Sequence, residues 1–263
     1  MNAKHHIKRI TLVGAGNVAH NFGKSFRQAG YLINEIYSRT NNSAVLLSQA
    51  LNCNYTTDLS TLDRKTDLIV ISVNDDALEE VLEQIKIKDT PIVHTSGSNP
   101  ISIFEKKGFE NYGIFYPVQS FSKNEPESLI PIPICVEGNN QNMENLLLSF
   151  ARSVSKRVYV LNSEKRKALH IAAIFANNFT NHLYHVAHDL LSKHKISFEI
   201  IRPIIEKTSD KIKTETPKNA QTGPAARKDD KVIAEHLKFL SKYEDYQEIY
   251  QLMTESIKKS REK

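Results

Sequence analysis

The stretch LVGAGNVAHNFGKSF, residues 12–26, decides the fold class. An apolar run ends directly before Gly14 and Gly16, and a helical pattern of apolar residues continues to Phe26. With Ala19, the two glycines match the GxGxxG/A arrangement, whose first glycine makes a tight turn and whose second lets the backbone approach a pyrophosphate. We therefore predict a strand, a turn and a helix whose N-terminal amides bind the pyrophosphate of a dinucleotide.

The rest of the chain indicates two domains. Up to residue 162, short runs rich in Ile, Val and Tyr alternate with helix-like segments, as in βαβ units. DLIVISV, residues 67–73, is almost wholly apolar, which predicts a central strand covered on both faces. Strand-like runs then end, and a helical pattern extends from Ser163 to Lys193. We predict an α/β fold, with a Rossmann-like, mostly parallel sheet over residues 1–162 and an all-helical C-terminal domain over residues 163–263.

Composition excludes several classes of protein. The chain is 40% hydrophobic and 25% charged, and its apolar runs are too short for a membrane span. A net charge of +5 without a concentrated basic stripe argues against nucleic-acid binding but allows a small anionic ligand. The start of the sequence leaves no room for a secretory signal, so we expect a cytoplasmic protein with Cys53 and Cys135 reduced in or near the core. Scattered histidines and the lack of an HExxH motif predict no metal site.

The end of the second predicted strand indicates which dinucleotide is bound. NAD-binding proteins place an acidic residue there, whereas an arginine accommodates the 2′-phosphate of NADP. This strand ends in EIYSRT, with Ser38, Arg39 and Thr40 where the acid would be and Glu35 too early to replace it. We predict NADP (NADPH) as the cofactor, with a solvated loop arginine as the alternative for Arg39. The predicted cofactor-binding residues are Gly14, Gly16, Asn17, Val18, Ser38, Arg39, Thr40, Ser72, Val73 and Asn74.

Candidate reaction groups follow the strands and occupy the helical region. Ligands bind outside the carboxyl ends of parallel strands, and HTSGS, residues 94–98, has such a position. His94 offers a group that titrates near neutrality, although a polar turn that caps the next helix is an equal alternative. Tyr116 and Gln119 follow the next strand, and Arg227 offers a bidentate partner for a carboxylate, or an interface salt bridge. The predicted catalytic residues are His170, Asn178 and His94, and the predicted substrate-binding residues are Ser96, Gly97, Gln119, Thr222 and Arg227.

Several of these motifs together resemble a known family. VGAGNVA at 13–19, HTSGS at 94–98, HIAAIFANNF at 170–179 and TGPAARKD at 222–229 look like a bacterial family of Rossmann-like oxidoreductase homologues with a helical C-terminal domain of unknown function. More distantly, the chain is similar to pyrroline-5-carboxylate reductase and to the 6-phosphogluconate and 3-hydroxyisobutyrate dehydrogenases. The resemblance implies hydride transfer to or from a small carboxylated substrate, and a homodimer formed through the helical domain.

One departure from the wider group affects the mechanism. The hydroxyacid dehydrogenases carry a lysine four residues before an asparagine of the first C-terminal helix, and counting back from Asn178 gives Ile174. Because isoleucine cannot transfer a proton, His170, His94 or water would have to do so. We expect an NADP-dependent oxidoreductase acting on a carbonyl/hydroxy or imine/amine group. The alternative is a regulatory or sensor protein that binds NADP without turnover.

Overall fold

The computed structural model describes residues 6–123 and 127–261, and its sheet has eight strands. The strands are β1 (Arg9–Val13), β2 (Leu32–Tyr37), β3 (Asn54–Thr56), β4 (Leu68–Ile71), β5 (Ile92–His94), β6 (Tyr112–Pro117), β7 (Ile134–Gly138) and β8 (Val158–Val160). Their order is β3-β2-β1-β4-β5-β6-β7-β8, and every neighbouring pair is parallel except β6 and β7. The predicted α/β fold class with a mostly parallel sheet is therefore confirmed.

Helices alternate with the strands and then form the remainder of the chain. They are α1 (Asn17–Gln28), α2 (Asn41–Leu51), α3 (Leu78–Gln84), α4 (Ser102–Glu105), α5 (Gln141–Val154), α6 (Ser163–Ala173), α7 (Thr180–Lys193), α8 (Arg202–Lys211), α9 (Pro217–Ala220), α10 (Pro224–Arg227), α11 (Asp230–Leu240) and α12 (Glu244–Arg261). A π-helical segment, Ile174–Phe179, joins α6 to α7. The predicted helix from Ser163 to Lys193 is thus present, with a widened turn in its middle that periodicity did not indicate.

Hydrophobic side chains cover the sheet on both faces. On one face, α1 and α5 bring Phe22 and Phe150 against Phe115 of β6, with ring centroids 5.5 and 5.0 Å from that of Phe115. On the other face, Leu82 of α3 and Phe104 of α4 belong to the cluster that includes the β4 side chains facing that way. All four residues of β4 are buried, as predicted for a central strand.

The chain divides into two compact units, residues 1–176 and 177–263. Helix α6 starts at the residue where the helical region was predicted to begin, but it belongs to the first unit. The second unit consists of helices and short turns. None of the described helices is long and apolar enough to cross a membrane.

A buried ion pair attaches α6 to the sheet. The Arg166 side chain is fully buried, and its Nη1 lies 2.5 Å from Oε2 of Glu137 on β7. Nη2 of Arg166 donates to the carbonyl oxygen of Asn99 in the loop after β5. Ser163, at the start of α6, donates its backbone N–H and its hydroxyl to the two Glu137 oxygens at 3.0 and 2.8 Å. One carboxylate and one guanidinium thus connect a helix, a strand and a loop.

We expect Arg166→Met to lower the free energy of unfolding by ~3–5 kcal/mol, because it leaves the Glu137 carboxylate largely buried without its partner. The measurement is urea unfolding followed by circular dichroism. Lys165→Met, at the exposed neighbouring position, is the matched control and should change stability by less than about 0.5 kcal/mol. Equal losses in both variants would show that the ion pair has no special role.

Candidate functional site

The first part of the site is the glycine turn after β1. Gly14 has a φ of +121°, and a Cβ built on it would lie 2.4 Å from the carbonyl oxygen of Ser72. The Gly14 N–H donates to the Tyr37 carbonyl at 2.8 Å, and the Ser72 N–H donates to that of Val13 at 2.8 Å. The ends of β1, β2 and β4 therefore meet at a point where only glycine fits.

The turn leaves the N-terminus of α1 open. Gly16 is the N-cap, no side chain caps the helix, and a Cβ at Gly16 would meet nothing within 4 Å. The hydroxyl of Ser72 is buried beside the turn and has no hydrogen-bond partner among the described residues. Asn17 points its amide elsewhere, to the Phe121 carbonyl at 2.9 Å, so its backbone N–H is the group left for a ligand. Uncapped amides, space and an unpaired hydroxyl fit a pyrophosphate.

The end of β2 forms the second part of the site. Ser38 is buried, and its hydroxyl accepts a 3.4 Å hydrogen bond from the Thr40 N–H. Thr40 is the N-cap of α2 but makes no side-chain cap hydrogen bond. Arg39 is exposed, and we find no ion pair for it within residues 6–123 and 127–261. An unpaired guanidinium and an uncapped helix start lie side by side, a combination that suits a phosphate monoester.

The other predicted cofactor residues differ in exposure. Val18 packs against the core on the α1 side, and Val73 packs against the core on the opposite face. Asn74 is exposed and precedes a short 3-10 turn without capping it by its side chain. Val18 and Val73 therefore support the site by hydrophobic packing, and Asn74 offers an exposed amide.

His94, a predicted catalytic residue, lies inside the protein. It is 1% exposed, its ring stacks on Phe104 at 5.3 Å between centroids, and its Nδ1 accepts a hydrogen bond from the Ser96 N–H at 3.2 Å. Burial lowers its pKa to about 3, and the positive charge of Arg166 contributes to the shift. A histidine that stays neutral and out of solvent is not suited to proton exchange near neutral pH, so this placement argues against the catalytic role predicted for His94.

Two predicted substrate-binding side chains are engaged within their own loops. The Ser96 hydroxyl accepts hydrogen bonds from the N–H groups of Ser98 and Asn99 at 3.1 and 2.9 Å, which makes it part of a tight turn. Gln119 is exposed and donates to Glu127 at 2.5 Å. HTSGS therefore forms a polar turn held by Ser96, but this turn does not cap the next helix as the alternative predicted, because the N-cap of α4 is Ile101 and no side chain caps it.

His170 meets the sheet at the carboxyl ends of β5 and β6. Its Nδ1 lies 3.0 Å from the Tyr116 hydroxyl, and the two rings meet edge to face at 5.9 Å. A Cβ on Gly97 would lie 2.5 Å from Cγ and 2.6 Å from Nδ1 of His170, so the imidazole rests directly on the glycine backbone. The structure thus brings together the predicted residues His170 and Gly97, and it adds Tyr116 as a close partner.

The remaining predicted residues belong to the second unit. Asn178 is exposed within the π-helical segment, a type of helical irregularity that is frequent at functional sites. Thr222 and Arg227 are exposed before and at the end of α10. Their predicted catalytic and substrate-binding roles remain predictions. Within the described part of the chain, no group of three His, Cys, Asp or Glu residues could hold a metal ion.

The fold and the glycine turn define a Rossmann-type dinucleotide-binding protein, and comparisons with known proteins identify its family. Residues 9–96 match the family described as NADP oxidoreductase, coenzyme F420-dependent, and residues 132–257 match a domain of unknown function, DUF2520. A Bacteroides fragilis protein, provisionally named an NADP oxidoreductase, is 39% identical over 98% of this chain and 100% of its own, with a TM-score of 0.89. The chain belongs to the same NADP oxidoreductase family, which confirms the predicted cofactor, NADP.

More distant structures share the fold. An imine reductase from Myxococcus stipitatus in complex with NADP+ is 15% identical over 96% of this chain and 93% of its own, with a TM-score of 0.68. A 1-pyrroline-5-carboxylate reductase from Streptococcus pyogenes is 13% identical over 95% of this chain and 98% of its own, with a TM-score of 0.64. No curated protein matches the chain.

We expect His94 to make stability fall on acidification. Its pKa is about 3 in the folded protein against 6.5 as the ordinary value. Between these pH values the unfolded chain binds a proton that the folded chain does not, so the free energy of unfolding falls by up to ~1.4 kcal/mol per pH unit as the pH decreases. His94→Asn keeps a hydrogen-bond acceptor near the Nδ1 position and should show a shallower dependence.

The measurement is urea unfolding at several pH values between 6.5 and 3, the interval set by the pKa of His94. His182→Asn, at an exposed position, is the matched control and should retain the wild-type slope. A slope unchanged in His94→Asn would contradict the assignment of His94 as a buried neutral residue.

Proposed function

We propose that the protein is an NADP-dependent oxidoreductase that transfers hydride between the nicotinamide and a small carboxylated substrate bearing a carbonyl/hydroxy or imine/amine group. The observation that carries the proposal is the open glycine turn, where Gly14 fits only as glycine and the α1 amides lack a cap. We further assign the chain to the 6-phosphogluconate dehydrogenase-like superfamily, which combines such a turn with a helical C-terminal region.

Residues at the ends of different strands would bind different parts of the cofactor. The α1 amides and the Ser72 hydroxyl would hold the pyrophosphate, and Ser38, Arg39 and Thr40 would hold the 2′-phosphate. β4, β5 and β6 follow β1 in order across the sheet, so Gly97 lies on the side of the pyrophosphate site opposite to Arg39. Bound NADPH supplies a hydride at its nicotinamide ring.

His170 is the group that we propose as proton donor to the reacting oxygen or nitrogen. It is half-buried, whereas His94 is sealed in the core, and it sits on the backbone of Gly97 at the end of β5. Ile174 stands where related hydroxyacid dehydrogenases have a lysine, so that mechanism is not available to this chain. A positioned general acid contributes about 10²–10⁴ in rate, which is the loss expected without it.

An imine substrate has additional support from the distant fold relatives. Both are named as reductases of C=N bonds, the imine reductase and the pyrroline-5-carboxylate reductase. We propose that Arg227 binds the substrate carboxylate and that Thr222 donates to it, because a guanidinium fork matches a carboxylate in shape and charge. Asn178 would polarise the reacting atom.

We also propose that two copies of the chain associate through the helical region. In α7 and α8 no side chain is buried within the chain. Ile200, Ile204 and Leu252 of the second unit are 70%, 66% and 68% exposed, and isolated soluble proteins rarely leave so much aliphatic surface in water. A second copy of the chain would cover such side chains in a two-fold homodimer.

The alternative function is a regulatory or sensor protein that binds NADP without turnover. Ile174 favours it, because the position that supplies a lysine in related dehydrogenases cannot exchange a proton here. Both functions share the cofactor site, so only measured turnover separates them.

We expect NADPH to bind at least tenfold more tightly than NADH, and Arg39→Ala to remove most of that preference. A charge-assisted contact to the 2′-phosphate contributes ~1.5–3 kcal/mol, or about 10–150-fold in affinity. The measurement is parallel calorimetric titration, since the chain has no tryptophan to report binding by fluorescence. Arg152→Ala, an exposed arginine on α5, is the control and should retain the preference. If neither NADPH nor NADH binds, the proposed function falls.

We expect slow oxidation of NADPH in the presence of a cyclic imino acid or a 2-oxo acid, and His170→Ala to lower kcat by at least about 10²-fold. The reaction is followed by the loss of NADPH absorbance, with His182→Ala as the control. Tight NADPH binding without turnover on either substrate class would favour the sensor function. Full activity in His170→Ala would exclude this residue as the proton donor.

A further inference from the structure

Tyr116 has one hydrogen-bond partner within the described residues, and that partner is His170. Tyr116 is 8% exposed as a residue, and burial raises the pKa of its hydroxyl, so the phenol keeps its proton. A buried O–H group has to donate its hydrogen or lose the free energy of a hydrogen bond. Among the described residues, the atom within hydrogen-bond distance of this hydroxyl that can accept is Nδ1 of His170, at 3.0 Å. This favours the phenol as the donor of the bond and Nδ1 as the acceptor.

The groups near Tyr116 and His170 do not oppose a hydrogen bond donated by the Tyr116 hydroxyl to Nδ1 of His170. In the antiparallel register, Tyr116 stands opposite Cys135, which is 1% exposed and whose thiol pKa is raised to about 11 by burial, so it stays protonated. Arg166, which lies on α6 one turn before His170, has only donors to offer, and its Nη1 and Nη2 atoms donate to Glu137, Asn99 and Ser163. Neither group competes to accept the phenol proton.

The contact with Gly97 determines which ring atom of His170 is left free. Cγ and Nδ1 are the ring atoms closest to the position of a Gly97 Cβ, at 2.5 and 2.6 Å. In a five-membered imidazole ring the atom opposite the Cγ–Nδ1 bond is Nε2. Nε2 therefore lies at the edge of the ring away from Gly97, in a residue that is half-buried, and it has no hydrogen-bond partner among the described residues.

We propose that Tyr116 is a positioning residue that holds neutral His170 in the tautomer with its proton on Nε2, and so presents an N–H donor at the free edge of the ring. For catalysis the inference rests on the proposed function, in which this proton moves from Nε2 to the substrate oxygen or nitrogen as the hydride reaches the adjacent carbon. The Nε2–H bond breaks as a new O–H or N–H bond forms, which leaves His170 as an imidazolate that still accepts the Tyr116 hydrogen bond at Nδ1, and solvent then returns a proton to Nε2. Tyr116 itself loses no proton.

The proposal also explains why the loop after β5 has a glycine here. A side chain at residue 97 would occupy the space of the imidazole ring and separate Nδ1 from the phenol. Gly97 was predicted to bind substrate; according to this proposal, its role is to position His170. The Gly97 backbone contacts the imidazole ring on the edge whose Nδ1 lies 3.0 Å from the Tyr116 hydroxyl.

The test is a nitrogen NMR measurement on the full-length protein with 15N-labelled histidine, at a pH where His170 is neutral. The His170 signals are assigned by their loss in His170→Gln. In the wild-type protein we expect the Nε2 shift to be that of a protonated nitrogen and the Nδ1 shift that of a hydrogen-bonded acceptor. A wild-type His170 with its proton on Nδ1, or with an even mixture of both forms, overturns the proposal without the need for any variant.

Tyr116→Phe removes the hydroxyl and keeps the ring, and its two His170 nitrogen shifts should move toward each other as the tautomers mix. Tyr159→Phe, at an exposed position of β8, is the matched control and should leave the shifts unchanged. On an identified substrate, Tyr116→Phe should lower kcat by at least about tenfold with little change in the Kd of NADPH. Unchanged shifts in a folded Tyr116→Phe protein would overturn the inference. Because the NMR result needs neither cofactor nor substrate, it is independent of whether the proposed function holds.

Discussion

The pairing of Arg166 with Glu137 is the contact on which the geometry of the reaction site depends. Removing a guanidinium completely from water is costly, and the cost is offset here by a carboxylate, a backbone carbonyl and a serine hydroxyl in one shell. The partners lie on β7, on the loop after β5 and in the first turn of α6, so their relative positions are fixed together. Residues four apart share one face of a helix, and Arg166 therefore also directs His170 toward the sheet.

The positive charge of Arg166 also contributes to the difference between His94 and His170. His94 and His170 both lie near the end of β5, but His94 is enclosed between Phe104 and the interior, and Arg166 makes its protonation still less favourable. His170 is held at the surface of the sheet by a phenol and a glycine and keeps one nitrogen free. Two imidazoles with the same chemistry thus have different surroundings, because His94 is buried and His170 is only half-buried.

Sequence patterns predicted the features that depend on local order. The buried β4 and the helix that starts at Ser163 follow from the periodicity of apolar residues. The glycine turn follows from a backbone conformation that only glycine adopts readily. β3 was not predicted, because NYT is short, polar and paired with β2 alone at the sheet edge. Arg166 gave no signal either, since SEKRKALH presents four charged residues in a row and burial of one of them depends on the distant Glu137.

The candidate site shows the same limit. A histidine after a predicted strand and one on a predicted helix are equivalent in the sequence, and the choice between them depends on the packing of α4 and α6. A catalytic acid has to exchange its proton with solvent between turnovers, and the buried position of His94 does not suit that role. The low exposure of Tyr116 indicates a different role. A phenol held away from water is poor at exchanging a proton but well suited to fixing the orientation of a neighbouring side chain. The position of the half-buried His170 ring therefore depends on the two groups that contact it, the Tyr116 hydroxyl and the Gly97 backbone.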